Sequence, residues 1–320
     1  MRRYGARVRR LLFSIALLAL VVVIALPPLS RALGSGADPR LVPPPARSVA
    51  IGNGLALNVR EVGAGSLVVL VHGLPSNIGD WADVPDRLAA LGHRVVVYDR
   101  IGYGHSSRPA AGADAYTLAA NATQLGALLD ALDVERAALV GWSYGGGVVQ
   151  TFAIEQPARV SHLVLLASVG PAIAEEPVDP VGALATSAIG PAVFHWLTGV
   201  PWLSRAVVAG SVANTFSGAE HVPPGWTERT VAQLAMPGTI DAFLAEERND
   251  GYGALRPEAI TAPTLVLQGS DDRGVPPRVG EDLARRLPHG ELALVEGGSH
   301  MLPGTHAELV AARIHEWMAR

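Results

Sequence analysis

One serine of this 320-residue chain stands in a pattern that suits nucleophilic chemistry. Residues 141–145 read Gly-Trp-Ser-Tyr-Gly, where an apolar run at 137–142 meets the predicted start of a helix over 144–156. A serine on such a tight strand-to-helix turn projects its hydroxyl above the sheet, and the flanking glycines let neighbouring backbone approach without a Cβ. The helix N-terminus offers backbone N–H groups to developing negative charge. The pattern therefore predicts that Ser143 is a nucleophile.

An acid and a base follow the serine in the order Ser…Asp…His. The serine requires a base to take its proton, and the base requires an acid to orient it. Asp271 and Asp272 come directly after one predicted strand, and His300 comes directly after the last. Loops at the carboxyl ends of strands are where sites form in such sheets. The nine other histidines precede the serine or suit the surface, a strand start or the region 170–256. We therefore predict His300 as the base, with Asp271 or Asp272 as its acid.

These loops are positioned by an alternation of strands and helices that begins at residue 48. Continuous apolar runs predict strands buried on both faces, and apolar residues at helical spacing predict helices. The predicted strands are a hairpin that turns at 52–54, then 66–73, 93–99, 137–142, 162–168, 264–269 and 291–296. The predicted helices are 80–91 with Asp80 as its N-cap, 117–132, 144–156, 278–287 and 305–319. The alternation predicts an α/β fold with a mostly parallel eight-stranded sheet and helices on both faces.

The alternation is interrupted between residues 170 and 256 by prolines, glycines and short apolar pieces. Three of the six tryptophans and three of the five phenylalanines fall in this region. We interpret it as an inserted helical module with an apolar inner face. Trp196 and Trp202 are candidate substrate contacts from this module, and Trp142 is a candidate beside the nucleophile. All three also suit ordinary packing.

Several motifs around the serine give residues 48–320 a plain resemblance to the α/β-hydrolase superfamily. They occur in the family's order and comprise the His-Gly segment 71–77, the D-x-x-G-x-G-x-S-x-x-P stretch 99–109, the G-x-x-D-x-x-x-P stretch 269–276 and the G-x-x-H spacing at 297–300. Together they are far more specific than any one of them alone. The resemblance implies that the module of residues 170–256 is the family's cap, inserted between the sixth and seventh strands.

The resemblance also implies site residues that the spacing alone leaves open. The family pattern over 269–276 selects Asp272 over Asp271 as the acid. It further implies an oxyanion hole formed by two backbone N–H groups, those of Leu74 and Tyr144.

Composition excludes several other classes of chemistry. The net charge of −4 and a charged fraction of 17% give no support to a nucleic-acid partner. The absence of cysteine excludes disulfides, thiolate metal sites and cysteine nucleophiles. All 25 basic residues are arginine, which excludes Schiff-base and P-loop lysines. No histidines and carboxylates have metal-ligand spacing, so we predict neither a metal nor a cofactor.

The N-terminal region has the features of a membrane-directed segment. Residues 2–10 carry five arginines, and residues 11–26 follow without a charge. As a helix, 11–26 would span about 24 Å, short of the ~30 Å hydrocarbon core and longer than a usual signal-peptide apolar region of about 7–15 residues. We predict a membrane anchor at 11–26 or a signal peptide cleaved after Ala32. Either kind of segment places the rest of the chain outside the cytoplasm, as a membrane-anchored or a secreted protein. We expect the protein to be bacterial.

The predicted organisation follows from these features. Its parts are the signal-anchor or signal peptide 1–26, a proline-rich linker 27–47, the first core segment 48–169, the helical cap 170–256 and the second core segment 257–320. The sequence does not indicate an oligomeric state.

The predicted function is that of a serine hydrolase that cleaves a carboxylic ester, or a lactone-like acyl bond, of a fairly apolar small molecule. Related epoxide hydrolases and haloalkane dehalogenases use an aspartate at the nucleophile position, so the serine argues against those reactions. Carbon–carbon bond hydrolases and cofactor-free haloperoxidases share the triad and remain alternatives. A non-catalytic ligand-binding protein of the same fold is a further one.

Overall fold

A single sheet organises the part of the chain that the computed structural model describes, which is residues 37–109, 113–175, 180–249 and 251–320, together with Ser14 and Leu17. Within these residues the sheet has eight strands in the order β1-β2-β4-β3-β5-β6-β7-β8. The strands are β1 Arg47–Ala50, β2 Ala56–Val62, β3 Ser66–Val71, β4 His93–Tyr98, β5 Ala137–Trp142, β6 Val160–Leu166, β7 Thr264–Gly269 and β8 Gly290–Val295.

The sheet is mixed, with one antiparallel edge. β1 and β2 form the predicted hairpin, which turns through three residues of positive φ, Gly52, Asn53 and Gly54. β2 also runs antiparallel to β4. The pairs from β4 through β3, β5, β6 and β7 to β8 are all parallel. The carboxyl ends of β3, β5, β7 and β8 therefore meet at one edge of the sheet, where the predicted site residues lie.

Helices lie on both faces of the sheet and in the segment between β6 and β7. They are α1 Val84–Ala90, α2 Leu118–Ala131, α3 Tyr144–Glu155, α4 Pro180–Thr186, α5 Gly190–Gly199, α6 Pro201–Thr215, α7 Trp226–Leu234, α8 Thr239–Arg248, α9 Pro277–Arg286, α10 Leu302–Thr305 and α11 Ala307–Met318. Successive side chains of a strand point to opposite faces. In β3, Val69 and Val71 accordingly pack in a core with α2, α3 and α9. Val68 and Leu70 pack in a second core with α1 and α11.

The helices α4 to α8 lie between β6 and β7 in the chain, and we call them the cap. Elsewhere two predictions need correction. Residues 80–91 do not form one helix, because a short 3-10 helix at Ile78–Trp81 is followed by a break before α1, which has a proline in its first turn. Asp80 consequently caps no α-helix and is instead buried. β6 lies two residues earlier than predicted, because the chain turns at Ala167 with φ 43°.

The predicted anchor or signal segment 11–26 lies outside the described residues, apart from Ser14 and Leu17. Among the described residues, no helix has the length and apolar character to cross a membrane.

Candidate active site

Ser143 occupies a strained turn between β5 and α3. Its backbone has φ 56° and ψ −123°, a conformation uncommon for residues other than glycine. A Cβ on Gly141 would overlap the carbonyl of Gly145, and a Cβ on Gly145 would overlap the carbonyl oxygen of Val71. The glycines of the predicted motif therefore allow strand, turn and helix to approach closely, and they hold the serine at the carboxyl edge of the sheet.

The structure brings the three predicted side chains into one hydrogen-bonded chain. The Oγ of Ser143 lies 3.0 Å from Nε2 of His300. The Nδ1 of His300 lies 2.9 Å from Oδ2 of Asp272. A proton on Nδ1 donates to the carboxylate, so Nε2 is left to accept the serine proton. The three residues are 8%, 8% and 5% exposed, which places this proton path largely away from bulk water.

The loop after β7, residues 270–276 (the β7 loop), fixes the carboxylate of Asp272. Its Oδ1 accepts hydrogen bonds from the backbone N–H groups of Gly274 at 2.8 Å and Val275 at 2.7 Å. Its Oδ2 accepts from Nε2 of Gln268 at 3.0 Å and faces His300. The neighbouring Asp271 is exposed. The geometry therefore favours Asp272 over Asp271 as the partner of the histidine, as the resemblance implied.

The two residues predicted to form an oxyanion hole lie on either side of the serine. Tyr144 is the first residue of α3 and directly follows Ser143. Leu74 lies in the loop after β3, residues 72–77 (the β3 loop). A Cβ on Gly73 would come 2.9 Å from Cβ of Ser143, so this loop rests directly against the serine. Tyr144 is therefore next to the serine in the chain, and Leu74 follows a glycine that lies against it; their role as oxyanion-hole donors stays a prediction.

His72 is held as a neutral structural residue at the start of the β3 loop. Its Nδ1 lies 2.9 Å from the carbonyl oxygen of Gly73, and its Nε2 accepts from the backbone N–H of Arg100 at 2.9 Å. Burial, and then the nearby Arg100 charge, lowers the pKa of His72 well below its usual range. A neutral ring suits one donated and one accepted bond. Within the described parts of the chain, no group of three or more histidine and acidic side chains is arranged to hold a metal ion.

Asp99 fastens the β3 loop to the sheet. Its Oδ1 accepts from the backbone N–H of Ile78 at 2.9 Å. Its Oδ2 accepts from Nδ2 of Asn58 at 2.7 Å and from the backbone N–H of His105 at 2.9 Å. Burial raises the pKa of Asp99, and these hydrogen bonds oppose that shift. A Cβ on Gly104 would overlap this carboxylate, which explains the second glycine of the stretch 99–109.

A comparison with known families agrees with this geometry. The family model described as alpha/beta hydrolase fold matches residues 66–307. The chain belongs to this family.

Relatives of this α/β hydrolase carry different activities in their names. A 2-hydroxy-6-oxo-2,4-heptadienoate hydrolase of Pseudomonas putida is 31% identical over 71% of this chain and 79% of its own length. A non-heme chloroperoxidase of Kitasatospora aureofaciens is 29% identical over 79% of this chain and 92% of its own length. A solved esterase of Exiguobacterium antarcticum superposes with a TM-score of 0.72 over 86% of this chain and 100% of its own, at 21% identity, and shows the shared fold.

The three tryptophans proposed as substrate contacts occupy different environments in this α/β hydrolase. Trp142 is buried, and its Nε1 donates to the carbonyl oxygen of His300 at 2.9 Å. It therefore anchors the histidine, a role that sequence reasoning missed. Trp196 is half-buried on α5. Trp202 is 71% exposed at the start of α6. This outward-facing position does not favour the predicted substrate contact of Trp202, which stays a prediction.

The cap contacts the β7 loop and the loop after β8, residues 296–301 (the β8 loop). Beyond α6, the hydroxyl of Ser217 donates to the carbonyl oxygen of Asp271. On α7, Trp226 packs in the same apolar core as Met301. A Cβ on Gly304 would come 2.8 Å from the indole ring of Trp226. The loops that bear Asp272 and His300 thus have the cap as a direct neighbour.

The cap also contacts the β3 loop through α7. Asp80, just beyond this loop, accepts from the Ser76 hydroxyl at 2.8 Å. The same carboxylate accepts from Nη2 of Arg229 at 3.3 Å and from Nε2 of Gln233 at 3.4 Å, both on α7. Asp80 therefore joins loop and cap.

Sequence reasoning missed the polar residues that support the site from behind. Gln268, which holds the Asp272 carboxylate, is a polar residue inside the continuous apolar run 264–269, and that interruption was a usable signal. Arg100 and Glu246 are fully buried although arginine and glutamate are rarely so. They lie 146 positions apart, so no spacing in the sequence connects them.

Proposed function

We propose that this α/β hydrolase is a serine hydrolase that cleaves a carboxylic ester or lactone-like acyl bond of a fairly apolar small molecule. The observation that supports it is the hydrogen-bond chain from Ser143 through His300 to Asp272, with distances of 3.0 and 2.9 Å. A serine on a strained turn, a base in contact with it and an acid that orients the base are the parts that acyl transfer requires.

In the proposed reaction Oγ of Ser143 attacks the ester carbonyl carbon. The serine proton passes to Nε2 of His300, and the carbonyl electron pair becomes an oxyanion held by the N–H groups of Leu74 and Tyr144. Collapse of this intermediate breaks the bond to the alcohol, which takes the proton from His300. Water then gives a proton to His300 and attacks the acyl carbon. The bond from this carbon to Oγ of Ser143 breaks, Oγ takes the proton from His300, and the acid leaves. Asp272 stabilises the imidazolium in both halves of the reaction.

The preference for an apolar substrate is supported by the side chains around Leu74. Leu74 and Phe194 pack against an apolar cluster inside the cap, whose buried members are Ala185, Ile240, Phe243 and Leu244. The rings of Phe194 and Phe243 have centroids 5.4 Å apart. A substrate bound beside the β3 loop would therefore meet aliphatic and aromatic surface from the cap, which suits an apolar acyl or alcohol group.

The names of the relatives favour a second candidate function for the same site, hydrolysis of a carbon–carbon bond. The Pseudomonas putida relative is named as hydrolase of a compound that contains no ester, so its reaction breaks a carbon–carbon bond. The same triad serves such a reaction and that of the cofactor-free haloperoxidases. Turnover of vinylogous diketones in the absence of ester turnover would favour the carbon–carbon hydrolase for this chain.

The experiment compares the wild type with Ser143→Ala. Wild-type protein is expected to hydrolyse p-nitrophenyl esters and to react covalently with a fluorophosphonate probe at Ser143. Ser143→Ala is expected to lose the labelling and to lower kcat by about 10⁶-fold. Ser211→Ala, at an exposed serine of α6, is the matched control and retains both. Near-wild-type turnover by Ser143→Ala would refute the proposal, and a wild type that neither turns over esters nor reacts with the probe would indicate a ligand-binding protein.

A further inference from the structure

A single buried arginine holds the start of the β3 loop. The Arg100 side chain donates from Nε to the carbonyl oxygen of His72 at 3.1 Å and from Nη2 to that of Gly73 at 2.8 Å. The Arg100 backbone N–H donates to the His72 ring at 2.9 Å. Arg100 therefore fixes the carbonyl groups of His72 and Gly73 and the ring of His72. These groups lie between the end of β3 and Leu74.

The bond to Gly73 also sets the direction of the Leu74 N–H. The peptide group between Gly73 and Leu74 is trans and planar, so its N–H and C=O point in opposite directions. Because the Gly73 carbonyl points to Arg100, the Leu74 N–H points away from it. Reversal of this one peptide would replace the N–H by a carbonyl oxygen, which repels an oxyanion. Gly73 lies against Ser143, so the orientation of this peptide matters directly at the nucleophile.

Arg100 depends on the cap for its counterion. It is fully buried, and its guanidinium forms an ion pair with Glu246 of α8, which is also fully buried. Tyr103 donates its hydroxyl to the Glu246 carboxylate at 2.7 Å, and Asn121 donates Nδ2 at 3.1 Å. Burial would lower the pKa of Arg100, but the Glu246 carboxylate raises it overall. The guanidinium thus remains charged and its carboxylate partner is hydrogen-bonded on several sides.

Arg100 also contacts the residue that bears the second predicted donor. Its guanidinium carbon lies 4.6 Å from the centroid of the Tyr144 ring, within the range of a cation–π contact. The same guanidinium thus bonds the Gly73 carbonyl, whose peptide carries one predicted donor, and contacts the side chain of the residue that carries the other.

We propose that the Arg100–Glu246 pair is a positioning device for the oxyanion hole, in which the cap supplies the carboxylate that keeps Arg100 on the Gly73 carbonyl. This inference rests on the proposed function. Burial of the pair is by itself weak evidence for a stabilising role, since a buried ion pair is often replaced by apolar residues of similar volume without loss of stability. Neither side chain is a catalytic residue, because both act through the β3 loop.

The test uses two variants that separate positioning from folding. Glu246→Gln keeps the shape of the side chain and removes the counterion. The double variant Arg100→Met with Glu246→Leu removes both charges, so no unpaired charge stays buried. Its Tm should fall only by the loss of the hydrogen bonds to the His72 and Gly73 carbonyls and to Glu246, and kcat is compared below that Tm. The matched control is Asp241→Asn, at a half-exposed carboxylate of the same helix whose ion pair with His195 lies within the cap.

The measurements are Tm, kcat and KM for p-nitrophenyl butyrate, and the inhibition constant of a trifluoromethyl ketone. This ketone accepts Oγ of Ser143 at its carbonyl carbon, while the serine proton passes to His300 and the carbonyl oxygen becomes an oxyanion. Both variants are expected to lower kcat about 10²-fold, as for loss of one oxyanion donor. KM should stay within about threefold of wild type. The inhibition constant should rise by the same factor as kcat falls, and the midpoint of the pH profile should not move.

Two results would overturn the inference. One is wild-type kcat in Glu246→Gln. The other is a folded double variant with wild-type kcat, which would show that the β3 loop keeps its position without the pair. If Glu246→Gln fails to fold, the double variant decides by itself. A wild type that shows no esterase activity and no fluorophosphonate labelling would refute the proposed function instead, a result distinct from each of these.

Discussion

Replacement of Trp142 by phenylalanine tests whether this residue supports His300 or contacts the substrate. The indole Nε1 donates to the His300 carbonyl at 2.9 Å in a buried position. Trp142→Phe removes this donor and leaves a buried carbonyl without it, a loss of about 1–3 kcal/mol. If that energy holds the imidazole in place, its loss lowers kcat by about 5-fold to 150-fold, since about 1.4 kcal/mol corresponds to a factor of ten.

The assay is steady-state hydrolysis of p-nitrophenyl esters with acyl chains of increasing length, together with a thermal unfolding curve. We expect kcat to fall roughly tenfold for every chain length, within the range set by the lost bond. KM should remain unchanged, because the ring supports the histidine from behind rather than facing the acyl chain. The smaller ring also leaves space in the core, so Tm should fall as well.

Trp202→Phe is the control, since Trp202 is 71% exposed and is expected to affect neither constant. A Trp142→Phe enzyme with wild-type kcat and a KM that rises with acyl chain length would refute the reasoning. Such a result would return Trp142 to the substrate pocket, where sequence analysis placed it as a candidate.

Two further predictions concern folding. Gly145→Ala should lower the free energy of unfolding by about 3 kcal/mol in urea titrations, because the new Cβ would meet the Val71 backbone. Gly210→Ala should instead raise the free energy of unfolding by about 1 kcal/mol, because its Cβ in α6 has open space around it. Equal effects of the two changes would contradict the packing argument. Burial, and then the His315 charge, lowers the pKa of His93. Its unfolded-state pKa is about 6.5, so the unfolded state binds its proton first and stability is lost as pH falls below that value. His93→Gln should therefore lose less stability than the wild type between pH 7.5 and 5.5, and parallel losses would show that other groups dominate.

Continuous apolar runs made most of the sheet predictable from sequence. β5 and β7 have the predicted bounds, because each is a run buried on both faces that ends where the sheet ends. β6 was placed two residues late, since the apolar run continues into Ala167 after the chain has left the ladder. The cap was predicted only as a helical module, because its short helices are separated by prolines and glycines and depend on tertiary packing for their bounds.

The candidate site was predictable where chemistry demands a residue type at a strand end. Ser143 and His300 follow from that demand, and a family pattern was needed to choose Asp272 over Asp271. The support behind them was not predictable, because Arg100 and Glu246 meet through the folding of the cap onto the core. Their burial follows from the packing of α8, which no local pattern encodes.

The cap contacts the β3, β7 and β8 loops, so a change in the cap sequence also affects the loops that carry the site. A chimera with a replaced cap would change the pocket, and a new cap without an acidic side chain at the Glu246 position would also remove the counterion of Arg100. It would further lose the contacts that Ser217 and Trp226 make with the β7 and β8 loops. If the pair positions the oxyanion hole as proposed, a change of cap alters selectivity and turnover together. Lineages that reshape the pocket should keep an acidic side chain at the Glu246 position even where the rest of the lid has diverged.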